Sequence, residues 1–142
     1  MEDARARSCF AGAQIDHNRA KMMLQHCIGL SGQARPGNSS TFVAESGGEI
    51  QAFLVGTIAP LYECLNINLA TDLIWYARAE ADARAAIGVL RHFHQWAAKC
   101  PGTVLIRHGI TDAICDHERT GLALRRAGFR QCGAIYEKEL TR

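Results

Sequence analysis

The sequence predicts an α/β fold of the α+β kind: a mixed, mostly antiparallel sheet flanked by helices. Three observations carry this reading. Two β-rich runs, Thr41–Glu45 and Ile50–Ala59, are separated by Ser46-Gly47-Gly48-Glu49. Glycines tolerate the positive φ of a tight turn, so the two runs read as an antiparallel hairpin. A third strand, Leu69–Ala77, is β-rich at Leu73-Ile74-Trp75-Tyr76, leads into an alanine-rich helix and is followed by a strand at Thr103–His108. A strand–helix–strand unit of that kind needs a right-handed crossover and gives a parallel pair. Finally, Ala83, Ala86, Ile87, Leu90, Phe93, His94 and Ala97 form one stripe at helical spacing, with Arg84, Arg91, Gln95 and Lys99 off it.

The remaining elements follow in chain order. Ser8–Ile15 reads as a short first strand. Asp16 suits an N-cap, and Ala20, Met23, Leu24, Cys27 and Ile28 give the helix behind it one apolar face, ended by Gly29 and Gly32. Residues 32–40 are a Gly/Ser/Asn/Pro loop and Pro60–Asn68 is a second loop. The central helix runs from about Asp82 to Ala98, and Pro101-Gly102 breaks the chain after it. Asp112 or Asp116 would cap a final helix carrying Thr120, Ala123, Leu124 and Ala127, with Gly128 at its C′ position. Arg130–Leu140 reads as a last strand. The expectation is a single domain over residues 1–142, with a variable helix and loop at 1–40 and a core at 41–142.

Length and composition fit one globular domain: 142 residues, 48% hydrophobic, 21% charged. A net charge of +2 gives no electrostatic case for nucleic acid or a membrane surface. No apolar run approaches the roughly 20 residues of a membrane span. The first residues, Met-Glu-Asp-Ala-Arg-Ala-Arg, lack an apolar signal core, so a cytoplasmic location is expected. The six cysteines are widely spaced without a CxxC pair, which suits buried reduced thiols better than a disulfide framework. No internal repeat or low-complexity segment interrupts the chain.

The chemistry resides where the third strand meets the central helix. The first N–H groups of a helix have no intrahelical partner, so this junction can grip an anion such as a pyrophosphate. His92, His94, His108, Cys115 and His117 match no zinc pattern, and no metal is expected. Arg119, Arg125, Arg126 and Arg130 read as a solvated face whose charge suits a helix C-terminus.

The order helix, hairpin, strand, helix, strand, helix, Gly128-Phe129, strand resembles the GNAT superfamily of acyl-CoA-dependent N-acetyltransferases. The Asp72-Leu-Ile-Trp-Tyr strand and the helix ending in His94-Gln-Trp96-Ala97 are similar to small members from phages and prophages. The likeness covers about residues 40–140. It implies acetyl-CoA as co-substrate and an amine acceptor, attacked in a ternary complex. The pantetheine arm would lie along Ile74, Trp75, Tyr76 and Ala77, between strands that splay apart. The pyrophosphate would sit at Arg84, Ala85, Ala86, Ile87 and Gly88.

The chain departs from the family at two places. The phosphate loop, usually Gln/Arg-x-x-Gly-x-Gly/Ala, reads Ala83-Arg-Ala-Ala-Ile-Gly88, with Arg84 supplying charge one position late. The tyrosine that commonly precedes Gly-Phe is Leu124. Asp72, Glu80 and His108 are the candidates for amine deprotonation, and Tyr136, with Tyr76, for thiolate protonation. Each also has an ordinary reading as a strand-end or surface group. Only one strand fits after Gly128, so a second copy is expected to complete the sheet as a homodimer. The alternative is a protein that keeps the fold, lacks the chemistry, and acts by binding another protein.

Overall fold

The computed structural model describes residues 2–111, 117–136 and 138. The chain divides into two compact units, Gln14–Gly109 and a second formed by residues 1–13 with 110–142.

The larger unit opens with α1, His17–Gly29. Its N-cap is Asp16, whose carboxylate accepts the Arg19 N–H at 2.9 Å. The sheet follows as β1 (Ser39–Ser46), β2 (Glu49–Pro60), β3 (Asn68–Ala77) and β4 (Thr103–Arg107). Their order is β1-β2-β3-β4, with the first three antiparallel and β4 parallel to β3. The expected mixed, mostly antiparallel sheet is therefore present. Gly47 (φ 62°) and Gly48 (φ 78°) make the two-residue hairpin turn, a conformation that favours glycine. The connection expected as a loop at 60–68 contains one 3₁₀ turn, Leu61–Glu63, in which Tyr62 and Glu63 are both left-handed.

Helix α2, Ala83–Ala97, packs on β1 and β2. One sheet residue makes this approach possible. A Cβ on Gly56 would lie 2.2 Å from Phe93 Cε2, so the missing side chain is the space the phenyl ring fills. Phe93 is fully buried there, and Phe42 and Trp96 meet it at ring centroid distances of 6.2 and 6.1 Å. The Trp96 indole N–H is satisfied by the Gly32 carbonyl at 2.9 Å. After the helix, Gly102 takes φ 77° and its carbonyl accepts the Asn68 N–H at 2.8 Å, so β4 starts level with β3. Cys27 and Cys100 are buried thiols, whereas Cys9, Cys64 and Cys132 are exposed.

The smaller unit corrects two sequence expectations. Residues 2–6 form a short helix, α3, and no strand forms at Ser8–Ile15. Successive turns replace it: Ser8, Ala11 and Ala13 N–H groups donate to Arg5, Ser8 and Phe10 carbonyls. The Ser8 hydroxyl also donates to Arg5 O and accepts from Phe10 N–H, offering the backbone a local alternative to a ladder. Helix α4, His117–Arg126, ends as the glycine predicted. Gly128 is at φ 91°, its N–H donates to Arg125 O, and Phe129 N–H donates to Leu124 O, a complete Schellman motif. The two cap candidates, Asp112 and Asp116, lie outside the described residues. The strand expected at Arg130–Leu140 is absent from the described part of that segment, and residues 130–136 are exposed coil. Alternating sequence favours a strand only when a neighbouring strand supplies the ladder.

Candidate functional site

β4 runs beside only the first half of β3. Their register begins at Asn68 opposite Thr103 and ends at Thr71 opposite Arg107 among the described residues. The next residue on each strand is ionisable: Asp72 on β3 and His108 after β4. The two meet at this fork, His108 Nδ1 to Asp72 Oδ1 at 2.8 Å, with side chains only 1% and 7% exposed. Burial of both groups strengthens their interaction relative to the same pair in water.

A β-bulge aims Asp72. Gly56 pairs with Asp72 but Val55 pairs with Ile74, leaving Leu73 as the extra residue. Residues opposite each other in a ladder share a face, so Asp72 lies on the Gly56 side, under α2, and Trp75, opposite Leu54, lies there too. Without the bulge, Asp72 and Trp75 would point to opposite faces. The Trp75 ring stands 5.9 Å from the His108 ring, and Phe93 approaches the same imidazole edge-on at 5.6 Å.

α2 adds a third polar group. His94 Nε2 is 2.9 Å from His108 Nε2, making a continuous chain Asp72–His108–His94. Burial, and then the neighbouring His108, lower the His94 pKa from 6.5 to about 4. His94 is therefore neutral near pH 7. Sequence reading missed it, placing it as one member of the apolar stripe. Its signal was that it is the sole polar side chain in that stripe. Among the described residues no group of three or more His, Cys, Asp or Glu is arranged to hold a metal ion.

The other predicted residues distribute as follows. Ile74, Trp75, Tyr76 and Ala77 continue β3 past the fork, with Tyr76 buried and its ring 5.9 Å from Phe53. Glu80 is exposed in the turn between β3 and α2. Arg84 and Ile87 are exposed in the first turns of α2, with Ala85, Ala86 and Gly88 half-buried beside them. Tyr136 belongs to the smaller unit, where it is 92% exposed.

The N-terminus of α2 carries a feature the sequence reading did not weigh. Asp82 is its N-cap, and the Asp82 carboxylate accepts the Arg84 N–H at 2.9 Å. One of the amides expected to face a pyrophosphate is thus held by the chain's own carboxylate.

No family model and no curated protein matches the chain. Solved structures do. A transcriptional regulator from Bacillus halodurans aligns with a TM-score of 0.68 at 16% identity, covering 99% of this chain and 91% of that one. An acetyltransferase of Trypanosoma brucei aligns with a TM-score of 0.66 at 10% identity, covering 98% and 89%. An aminoglycoside 6'-N-acetyltransferase of Acinetobacter haemolyticus aligns with a TM-score of 0.59 at 14% identity, covering 99% and 91%. The chain shares its fold with these solved proteins. At such identities the likeness extends to architecture and not to residues, so the site rests on its own geometry.

Proposed function

We propose that this protein is an acyl-CoA-dependent N-acetyltransferase that moves an acetyl group from acetyl-CoA to a primary amine in a ternary complex. The observation that carries the reading is the end of the β3–β4 ladder, where an aspartate and a histidine are held together. Pantetheine would lie along Ile74–Ala77. The α2 N-terminus, with Arg84, would receive the pyrophosphate. Acetyl-CoA supplies the activated acyl group; the chain holds the two reactants together and takes the proton. The amine nitrogen attacks the thioester carbon, the C–S bond breaks, and the nitrogen's proton leaves toward the His108–Asp72 pair. Glu80, exposed beside the end of β3, would attract a cationic acceptor.

A second reading is favoured by one specific observation. Asp82 places negative charge where a pyrophosphate is required and already satisfies the Arg84 amide. A protein that keeps the fold and binds another protein needs no such anion site.

Calorimetric titration with acetyl-CoA separates the two readings. Saturable micromolar binding, with acetyl transfer to a panel of small amines, peptide N-termini and lysines, supports the enzyme. In that case Asp72→Asn lowers the transfer rate by about 100-fold, the usual scale for losing a general base. An absence of binding at millimolar acetyl-CoA removes the enzyme reading and directs the search to protein partners.

A further inference from the structure

Gly56 is the one glycine inside β2, and a glycine in a strand interior marks a close approach to the backbone. Here the approach is made by Phe93. The Cδ2–Cε2 edge of its ring lies where a Cβ would be, 2.4 and 2.2 Å from that position. Gly56 is also the residue that pairs with Asp72 in the β2–β3 ladder, beside the bulge. The same phenyl ring meets the His108 imidazole edge to face, with centroids 5.6 Å apart and planes at 75°. One ring thus lies over the residue opposite Asp72 and against the imidazole that Asp72 holds. The ring is itself well supported. It is fully buried, Phe42 and Trp96 meet it at 6.2 and 6.1 Å, and the Trp96 indole is tied to the Gly32 carbonyl.

We propose that Phe93, admitted by Gly56, is a positioning residue for the Asp72–His108 pair: it holds the imidazole against the carboxylate and keeps water from their contact. A carboxylate only accepts, so the proton of the 2.8 Å contact is carried by His108 Nδ1. Keeping that proton aimed at Asp72 means fixing a ring whose terminal torsion is otherwise broad. Phe93 from α2 and Trp75 from β3 both border the imidazole, and the His108 and Asp72 side chains are 1% and 7% exposed. Phe93 also lies over the strand opposite Asp72, so a single rigid group sets the position of one partner relative to the other. A buried polar contact that loses such a wall admits water and weakens. The positioning role stands on this geometry. Its consequence for amine deprotonation rests on the acetyltransferase reading, and no substrate contact is assigned to Phe93.

The test reads that proton directly. In the intact protein labelled with ¹⁵N-histidine, the His108 Nδ1–H is an NMR resonance coupled to its own nitrogen and absent from His108→Gln. Its exchange with water reports how often the contact opens, and the wild type is expected to protect it. Phe93→Leu removes the phenyl edge, and Gly56→Ala keeps the ring but moves it, so each should speed exchange by about 10-fold or more. Val55→Ala is the control. It shortens a fully buried side chain on the opposite face of β2, next to Gly56, and should lower the urea midpoint without changing the exchange. If Phe93→Leu does not fold, Gly56→Ala against Val55→Ala makes the same comparison. An unprotected proton in the wild type, unchanged exchange in Phe93→Leu and Gly56→Ala, or equal acceleration in Val55→Ala overturns the proposal. If acetyl transfer exists, Phe93→Leu lowers kcat by about 10-fold and leaves KM for acetyl-CoA unchanged. An unchanged kcat overturns the consequence for catalysis. The expected exchange pattern without transfer to any amine would instead retire the acetyltransferase reading and leave the positioning role standing.

Discussion

At the scale of single residues, two positions carry unusual weight. Gly56 is one. Its absent Cβ is occupied by the Phe93 ring, which is fully buried, so Gly56→Ala must push α2 off the sheet or force the ring off its rotamer. Overpacking of this kind costs about 1–3 kcal/mol, read as a lower urea midpoint without a change in slope. Combining it with Phe93→Leu should cost less than the sum of the two, because both act on one volume. His94 is the other. Its pKa is 6.5 in the unfolded chain and about 4 in the fold, through burial first and His108 second. The unfolded chain therefore binds the proton more readily between those values. Stability contributed by the neutral ring is complete above pH 6.5 and drains as pH falls toward 4. Discounted for the solvent that reaches this half-buried side chain, the loss is about 1 kcal/mol. Urea midpoints at the two ends of that range should converge for His94→Gln and differ for the wild type. Asp72 and His108 were legible in the sequence as ionisable strand-end groups. Their contact with His94 was not, because periodicity assigns a histidine on an apolar stripe to the core and says nothing of the ring it will meet.

At the scale of elements, the proposed acetyl-CoA site makes the cap of α2 the place to test. Asp82→Asn keeps an oxygen for the Arg84 N–H and removes the charge, so it should leave stability within about 0.5 kcal/mol and tighten acetyl-CoA binding. Asp82→Ala frees the amide as well but costs about 1 kcal/mol of helix stability. Calorimetry with both variants distinguishes the contribution of the charge from that of the hydrogen bond. Arg84→Glu is expected to weaken binding in either background. Most elements could be read in advance for simple reasons. The Gly47-Gly48 turn, the Asp16 cap and Gly128 are local devices whose residue types dictate their backbone. The extra residue at Leu73 could not be read, since a bulge is defined by a partner strand distant in sequence. It reverses which side chains share a face, and a strict two-residue alternation would have separated Asp72 from Trp75. The same non-local dependence explains the missing strand at 130–136.

At the scale of the whole molecule, β4 is the last strand of the sheet among the described residues, and its Val104 and Leu105 are 56% and 45% exposed. A homodimer is the expectation from the sequence, in which only one strand fits after Gly128, and a strand edge that lacks a partner is a template for another strand. Light scattering should give twice the monomer mass, and Val104→Lys should reduce it to one, because charge on an edge strand opposes pairing. A monomer mass for the wild type would remove the prediction. Three exposed thiols among the described residues bear on the same measurement. Cys9, Cys64 and Cys132 stand at the surface, so in air two copies can be joined through sulfur as well as through backbone. Both links double the mass, but only one yields to reductant. A dimer that persists in dithiothreitol belongs to the sheet edge, and one that collapses was made by oxygen.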